Sequence, residues 1–219
     1  MLQVKICGIT QVEQGQAIAR LGATALGYVC VARSPRYIPP EKIAPITTAL
    51  PKVQHFGVFA NAPLSDIVAA VKTAGLSTVQ LHGDETPAAC QLLRDALIAA
   101  GLPHIKLVKA LRIRAAADLD TALSYEPDVD ALLLDAYHPD QLGGTGRTLD
   151  WPTLQTFAPN RPWFLAGGLT PDNVLSALAQ LSPNGIDLSS GVERSPGDKD
   201  LQKVRQLFDQ IKSAQAAGL

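Results

Sequence analysis

A single (βα)8 barrel is the fold this sequence predicts, on three observations. Eight short apolar, β-branched runs alternate with longer segments of helical period. The alternation is strict, which implies a parallel sheet with right-handed crossovers. The eight units occupy 219 residues, a length at which such a sheet closes into a barrel and buries one core. The competing architecture, an open Rossmann-type sheet, wants G-x-G-x-x-G directly after its first strand, and the sequence there reads CGIT. One barrel domain over residues 1–219 is therefore expected.

The strand runs, in order, are LQVKIC, ALGYVC, VQHFGVF, TVQLH, HIKLVKAL, ALLLD, WFLAGG and GIDLSS. Helices are expected after them at Val12–Leu21, Pro40–Leu50, Leu64–Ala74, Pro87–Ala100, Arg114–Leu123, Trp151–Phe157, Pro171–Leu181 and Asp198–Ala214. Thr10, Thr86 and Thr170 stand where an N-cap hydroxyl is wanted, with Pro87 and Pro171 at first-turn positions where a missing N–H costs nothing. Gly22, Gly75 and Gly101 mark helix stops. The longest irregular stretch, Ala136 to Asp150, follows the sixth strand and is glycine-rich, the character of a ligand loop or lid.

Composition narrows the function classes. A formal net charge of −1 without blocks of like charge lacks the footprint of a nucleic-acid or anionic-membrane binder. No apolar run approaches the ~18 to 20 residues that span a bilayer, and MLQVKICGIT enters a strand pattern with no leader-like segment. A cytoplasmic protein acting on a small, anionic ligand is expected. Three cysteines, Cys7, Cys30 and Cys90, have neither disulfide-framework nor metal-type spacing, so no metal site is expected.

The functional face of such a barrel lies at the C-terminal strand ends. Here those ends are Cys7, Cys30, Phe59, His82, Lys109 or Arg112, Asp135, Gly167–Gly168 and Ser189–Ser190, an unusually polar or small set. Strand alternation puts Lys5 on the face of Cys7, where an ammonium would favour thiolate and make a usable base. From the residues alone an inert buried cysteine stays an alternative. Asp135 abruptly ends an apolar run. Desolvation there would keep a carboxyl protonated and able to donate, while a capping or ion-paired aspartate is the other reading.

Phosphate binding is read from GGTG at Gly143–Gly146, AGGL at Ala166–Leu169 and SSGVE at Ser189–Glu193, since small residues expose backbone N–H groups. The last two follow the seventh and eighth strands, the usual place in a barrel. Arg33 and Arg36 beside Tyr37 offer a planar fork for a carboxylate, or merely a solvated loop. His82 is either a ligand contact or a satisfied barrel-mouth histidine.

VKICGIT, SPRYI, GVFAN, QLHG, LLLD, GGTGRTLDW, LAGGL and DLSSGVE, spread in order over nearly the whole chain, together resemble the phosphoribosylanthranilate isomerases. The resemblance implies a step of tryptophan synthesis. N-(5-phosphoribosyl)anthranilate is rearranged to 1-(2-carboxyphenylamino)-1-deoxyribulose 5-phosphate by an intramolecular aldose–ketose oxidoreduction that needs no cofactor. It implies Cys7 as general base, Asp135 as general acid and Arg36 as the anthranilate carboxylate ligand. The phosphate would fall to the AGGL and SSG backbones. The expected substrate-binding set is then Arg36, His82, Gly144, Gly167, Gly168, Asp187, Ser189, Ser190 and Gly191. A related rearrangement of histidine synthesis uses a similar barrel but resembles a pair of aspartates, against which Cys7 argues. A silent phosphosugar-binding barrel is the non-enzymatic alternative. Monomer and homodimer are both compatible with the sequence.

Overall fold

Short β-branched runs bounded by turn residues form strands where both faces can be covered, and here each strand is followed by a helix that covers one of them. The computed structural model of the protein describes residues 2–136 and 151–216. The first half is β1 (Gln3–Cys7), α1 (Val12–Leu21), β2 (Ala25–Val29), α2 (Pro40–Ala49), β3 (Gln54–Phe59), α3 (Leu64–Ala74), β4 (Thr78–Leu81) and α4 (Pro87–Ala99). The second is β5 (Lys106–Ile113), α5 (Ala117–Leu123), β6 (Ala131–Ala136), α6 (Trp151–Leu154), β7 (Trp163–Leu165), α7 (Val174–Gln180), β8 (Gly185–Leu188) and, at the end, α8 (Leu201–Ala216). The eight strands close in sequence order, and β8 pairs with β1 in parallel through Lys5 opposite Asp187. The (βα)8 barrel is thus present as predicted.

The outward strand residues Val4, Ile6, Val79, Leu81, Leu132, Leu134, Ile186 and Leu188 pack with the helices in one large apolar cluster. The barrel interior is a smaller cluster that includes Ala25, Phe56, Ala110, Leu133, Phe164 and Ala166. Period-two alternation then fixes what points inward above that plug: Lys5 and Cys7 from β1, Gln80 and His82 from β4, Asp135 from β6, and Asp187 from β8. Among the described residues, no helix is long and apolar enough to cross a membrane.

Several local expectations change: α5 begins at Ala117 rather than Arg114, and α6 ends at Leu154 rather than Phe157. Thr86 does cap α4, accepting from Ala89 N at 3.3 Å, but Thr10 instead donates to Gly197 O at 2.8 Å and leaves Gln11 at the N-cap of α1. Thr170 is not the cap of α7 either. The Asn173 side chain accepts from Thr170 N and donates to Gly168 O, both at 2.9 Å, so 171–173 form a turn and the helix starts at Val174. The last helix begins at Leu201 rather than Asp198, because Asp198–Lys199 (β10) is drawn into an antiparallel ladder with Glu193–Ser195 (β9). Gly22, Gly75 and Gly101 do end helices, at positive φ.

Candidate active site

The barrel mouth on the β8–β1–β2 side is built around a buried lysine. Lys5 is fully buried, lies 2.8 Å from Asp187 Oδ2 and sits 5.3 Å from the centre of the Phe56 ring. Room for it comes from Gly27 on β2, where a Cβ would lie 2.6 Å from Cys7 Sγ and 3.0 Å from Lys5 Cε. Burial opposes the charge on Lys5, yet Asp187 and Cys7 together hold its pKa above the ordinary lysine value. Burial likewise pushes the Asp187 carboxyl up, against the pull of Lys5. Asp187 Oδ1 is buried without a hydrogen-bond partner among the described residues, so one oxygen of this pair is uncommitted.

Cys7 corrects the sequence reading. Burial pushes its thiol above the ordinary value, and the opposing pull of Lys5, and more weakly of Lys199, does not overcome it. The lysine is where alternation placed it. Its pull on the thiol is outweighed by burial, and Asp187 also disfavours the thiolate. Cys30 and Cys90 keep the bland reading, with burial raising them to about 12 and about 11.

On the opposite side, Asp135 ends β6 facing His82, whose Nε2 is 3.3 Å from Asp135 Oδ2. Gln80 Nε2 lies 3.1 Å from His82 Nδ1, so Gln80 buttresses the imidazole that faces Asp135. Both side chains are about a quarter exposed, at 25% and 28%. Asp187 feels Asp135 and His82 as well as Lys5, and Cys7 feels Asp187, so the two sides form one electrostatic cluster. A cavity of about 350 Å³, lined by His82, Lys109, Arg112 and Tyr125 among others, opens beside it above β4 and β5.

Arg36 and the glycine segments complete the mouth. Arg36 Nε and Nη2 bind both carboxylate oxygens of Glu193 at 2.7 to 3.1 Å. Its stem crosses Gly8, where φ is +81° and a Cβ would stand 2.8 Å from Arg36 Cδ and 3.3 Å from Ser189 Oγ. Arg33, the other candidate, is exposed. Ser189 Oγ donates to Cys7 O at 3.0 Å and ties the end of β8 to the end of β1. Ser190–Val192 make a single 3₁₀ turn. A Cβ on Gly191 would fall on the Leu169 carbonyl, so the segments after β7 and β8 touch there. Among the described residues, the backbone N–H groups of Gly167, Gly168, Ser190 and Gly191 find no protein acceptor. Gly144 and the rest of GGTG lie outside the described residues. The described residues contain no group of three or more His, Cys, Asp or Glu arranged to hold a metal ion.

Residues 4–210 match the family model described as N-(5'phosphoribosyl)anthranilate (PRA) isomerase. The chain belongs to the phosphoribosylanthranilate isomerase family. It is 59% identical over 212 residues to the N-(5'-phosphoribosyl)anthranilate isomerase of Crocosphaera subtropica, covering 96% of this chain and 99% of that one. Among solved structures, the phosphoribosyl anthranilate isomerase of Thermotoga maritima superposes with a TM-score of 0.88 at 34% identity, over 97% of this chain and 100% of the other. A phosphoribosyl anthranilate isomerase in complex with reduced 1-(o-carboxyphenylamino)-1-deoxyribulose 5-phosphate superposes with a TM-score of 0.82 at 33% identity, over 97% and 100%.

In this barrel Cys7, Asp135, Arg36, His82, Asp187 and Ser189–Gly191 lie around one mouth. Sequence reasoning missed the partners that hold them. Glu193 was visible only as the last letter of a glycine-containing motif, and Lys199 only as the start of a helix. The Gln80–His82 contact was open to inference, because residues two apart on a strand share a face.

Proposed function

We propose that the protein is a phosphoribosylanthranilate isomerase that performs an Amadori rearrangement, with Cys7 as general base and Asp135 as general acid. The observation that carries this reading is the convergence of a thiol, a carboxyl and a guanidinium with an uncommitted edge on one barrel mouth. The complex of a related isomerase with a reduced 1-(o-carboxyphenylamino)-1-deoxyribulose 5-phosphate supports the same substrate class.

Arg36 receives the anthranilate carboxylate. Glu193 occupies the Nε–Nη2 edge of the guanidinium, and the Nη1–Nη2 edge has no partner among the described residues, which leaves a second fork of the geometry a carboxylate needs. The four N–H groups of Gly167, Gly168, Ser190 and Gly191 receive the phosphate. The substrate then spans the mouth, with its sugar between Cys7 and Asp135.

Asp135 protonates the ring oxygen, the C1–O bond breaks, and the nitrogen lone pair forms an iminium. That cation acidifies the C2 proton, which the Cys7 thiolate removes to give an enolamine. Proton delivery to C1 with loss of the C2 hydroxyl proton yields the ketone, so the product is an isomer and no atom or electron leaves. The reactive form holds its proton on Asp135 and none on Cys7. Burial makes the thiolate a minority in the free site, and the iminium supplies beside it the positive charge that Lys5 alone does not. His82 orients Asp135, and Asp187 Oδ1 accepts from a sugar hydroxyl.

The test is turnover. Phosphoribosylanthranilate generated in the cuvette from anthranilate and a phosphoribosyl donor should lose its fluorescence on addition of the protein, with a product of unchanged mass. Absence of turnover, with the histidine-pathway aminoaldose consumed instead, would remove the assignment.

A further inference from the structure

The Glu193 side chain is 4% exposed and sits on β9, one residue beyond the SSG segment. Its carboxylate is fully engaged: Arg36 binds both oxygens, Lys199 Nζ lies 2.6 Å from Oε1, and Gly197 N donates to Oε1 at 3.1 Å. No lone pair is left over for a substrate. The cost of burying this charge is met by two cations, and they hold the carboxyl below the usual range despite burial.

Each cation leads to a different end of the site. Arg36, held along one edge, lies over Gly8, the residue after Cys7, and its other edge has no partner among the described residues. Lys199 is fully buried, and its Nζ also donates to Ser189 O at 3.3 Å and approaches Ser189 Oγ at 3.5 Å. Ser189 opens the segment whose Ser190 and Gly191 N–H groups lack acceptors. Counted formally, the triad carries one excess positive charge, the sign wanted beneath an anionic ligand, and burial pulls the Lys199 pKa below the ordinary lysine value against the hold of Glu193.

We propose that Glu193 is a positioning residue that sets both ends of the substrate site, fixing Arg36 for the carboxylate end and, through Lys199 and Ser189, the N–H groups of the phosphate end. The proposal rests on the substrate reading given above. Without Glu193, Arg36 regains its rotamers and Lys199 becomes a buried, uncompensated cation, so both ends lose their preset geometry. The reacting atoms are not touched. The effect therefore falls on binding more than on the chemical step.

Calorimetric titration of the folded protein with anthranilate and, separately, with inorganic phosphate reads the two ends independently of turnover. The variants are Glu193→Gln, Arg36→Ala and Lys199→Met, with steady-state kinetics alongside. Glu193→Gln should weaken both probes and raise KM about tenfold or more while kcat falls by no more than about threefold, the scale of one lost charge-assisted contact. Arg36→Ala should weaken only anthranilate, and Lys199→Met only phosphate. Where Glu193→Gln does not fold, Glu193→Asp, which keeps the charge on a shorter stem, should shift both probes in the same direction by less. Unchanged affinity for both probes in a folded Glu193 variant overturns the proposal, as does a fall in kcat at constant KM. Inactive wild type that still binds both probes would sink the isomerase assignment and leave the positioning role standing.

Discussion

The two sides of the barrel mouth solve opposite problems. On the β8–β1 side, Lys5, Cys7 and Asp187 are packed away from water and set one another's charge. On the β4–β6 side, His82 and Asp135 are a quarter exposed and meet at 3.3 Å, with Gln80 behind them. The buried side fixes geometry at an electrostatic cost that falls on the thiol. The open side keeps its carboxyl in contact with solvent, where a proton can be replenished after each cycle. In the proposed reading, a base packed against a buried ion pair and a more open acid beside one histidine divide the work according to burial.

The largest test of that difference is removal of the buried cation. Lys5→Met leaves Asp187 without its partner in the barrel interior, and the fold should lose ~3–5 kcal/mol of stability. Urea denaturation reads this directly, and a loss under about 1 kcal/mol would mean that the pair is not the anchor of this side. A second test concerns the thiol itself. Because burial raises the Cys7 pKa above its ordinary value of 9.0, the thiolate fraction of the free enzyme is small at neutral pH and grows about tenfold per pH unit below the pKa. Alkylation of Cys7 by iodoacetamide should therefore accelerate through and beyond pH 9.0. A plateau reached near neutrality would show instead that Lys5 dominates. The smallest effect belongs to the open side: His82→Ala removes one partly exposed polar contact to Asp135 and should lower kcat/KM roughly 2- to 12-fold. A much larger loss would make His82 a participant in proton transfer rather than a support for Asp135.

The same contrast explains what the sequence disclosed. The strand runs, the order of elements and the inward placement of Cys7 and Asp135 follow from period-two alternation and turn residues, which are local properties. The direction of the Cys7 shift was not legible, because it is set first by burial in the closed barrel and further by Asp187, which is 182 residues from Lys5 in the chain and meets it only when β8 closes on β1. Glu193 and Lys199 were hidden for a related reason. They lie in a hairpin of three and two residues, too short for any periodicity, and a buried lysine looks like a surface one until its partner is placed. The early start expected for α7 failed because one asparagine side chain bonds to the turn before it.

Turnover of phosphoribosylanthranilate by Cys7→Ser and Asp135→Asn, each checked for wild-type circular dichroism, tests the division of labour most directly. Loss of a general base or acid lowers the rate by ~10² to 10⁴-fold, and both variants should fall by that amount with little change in KM. Near-wild-type turnover by either folded variant would contradict the assignment of Cys7 and Asp135 as the proton-transfer pair.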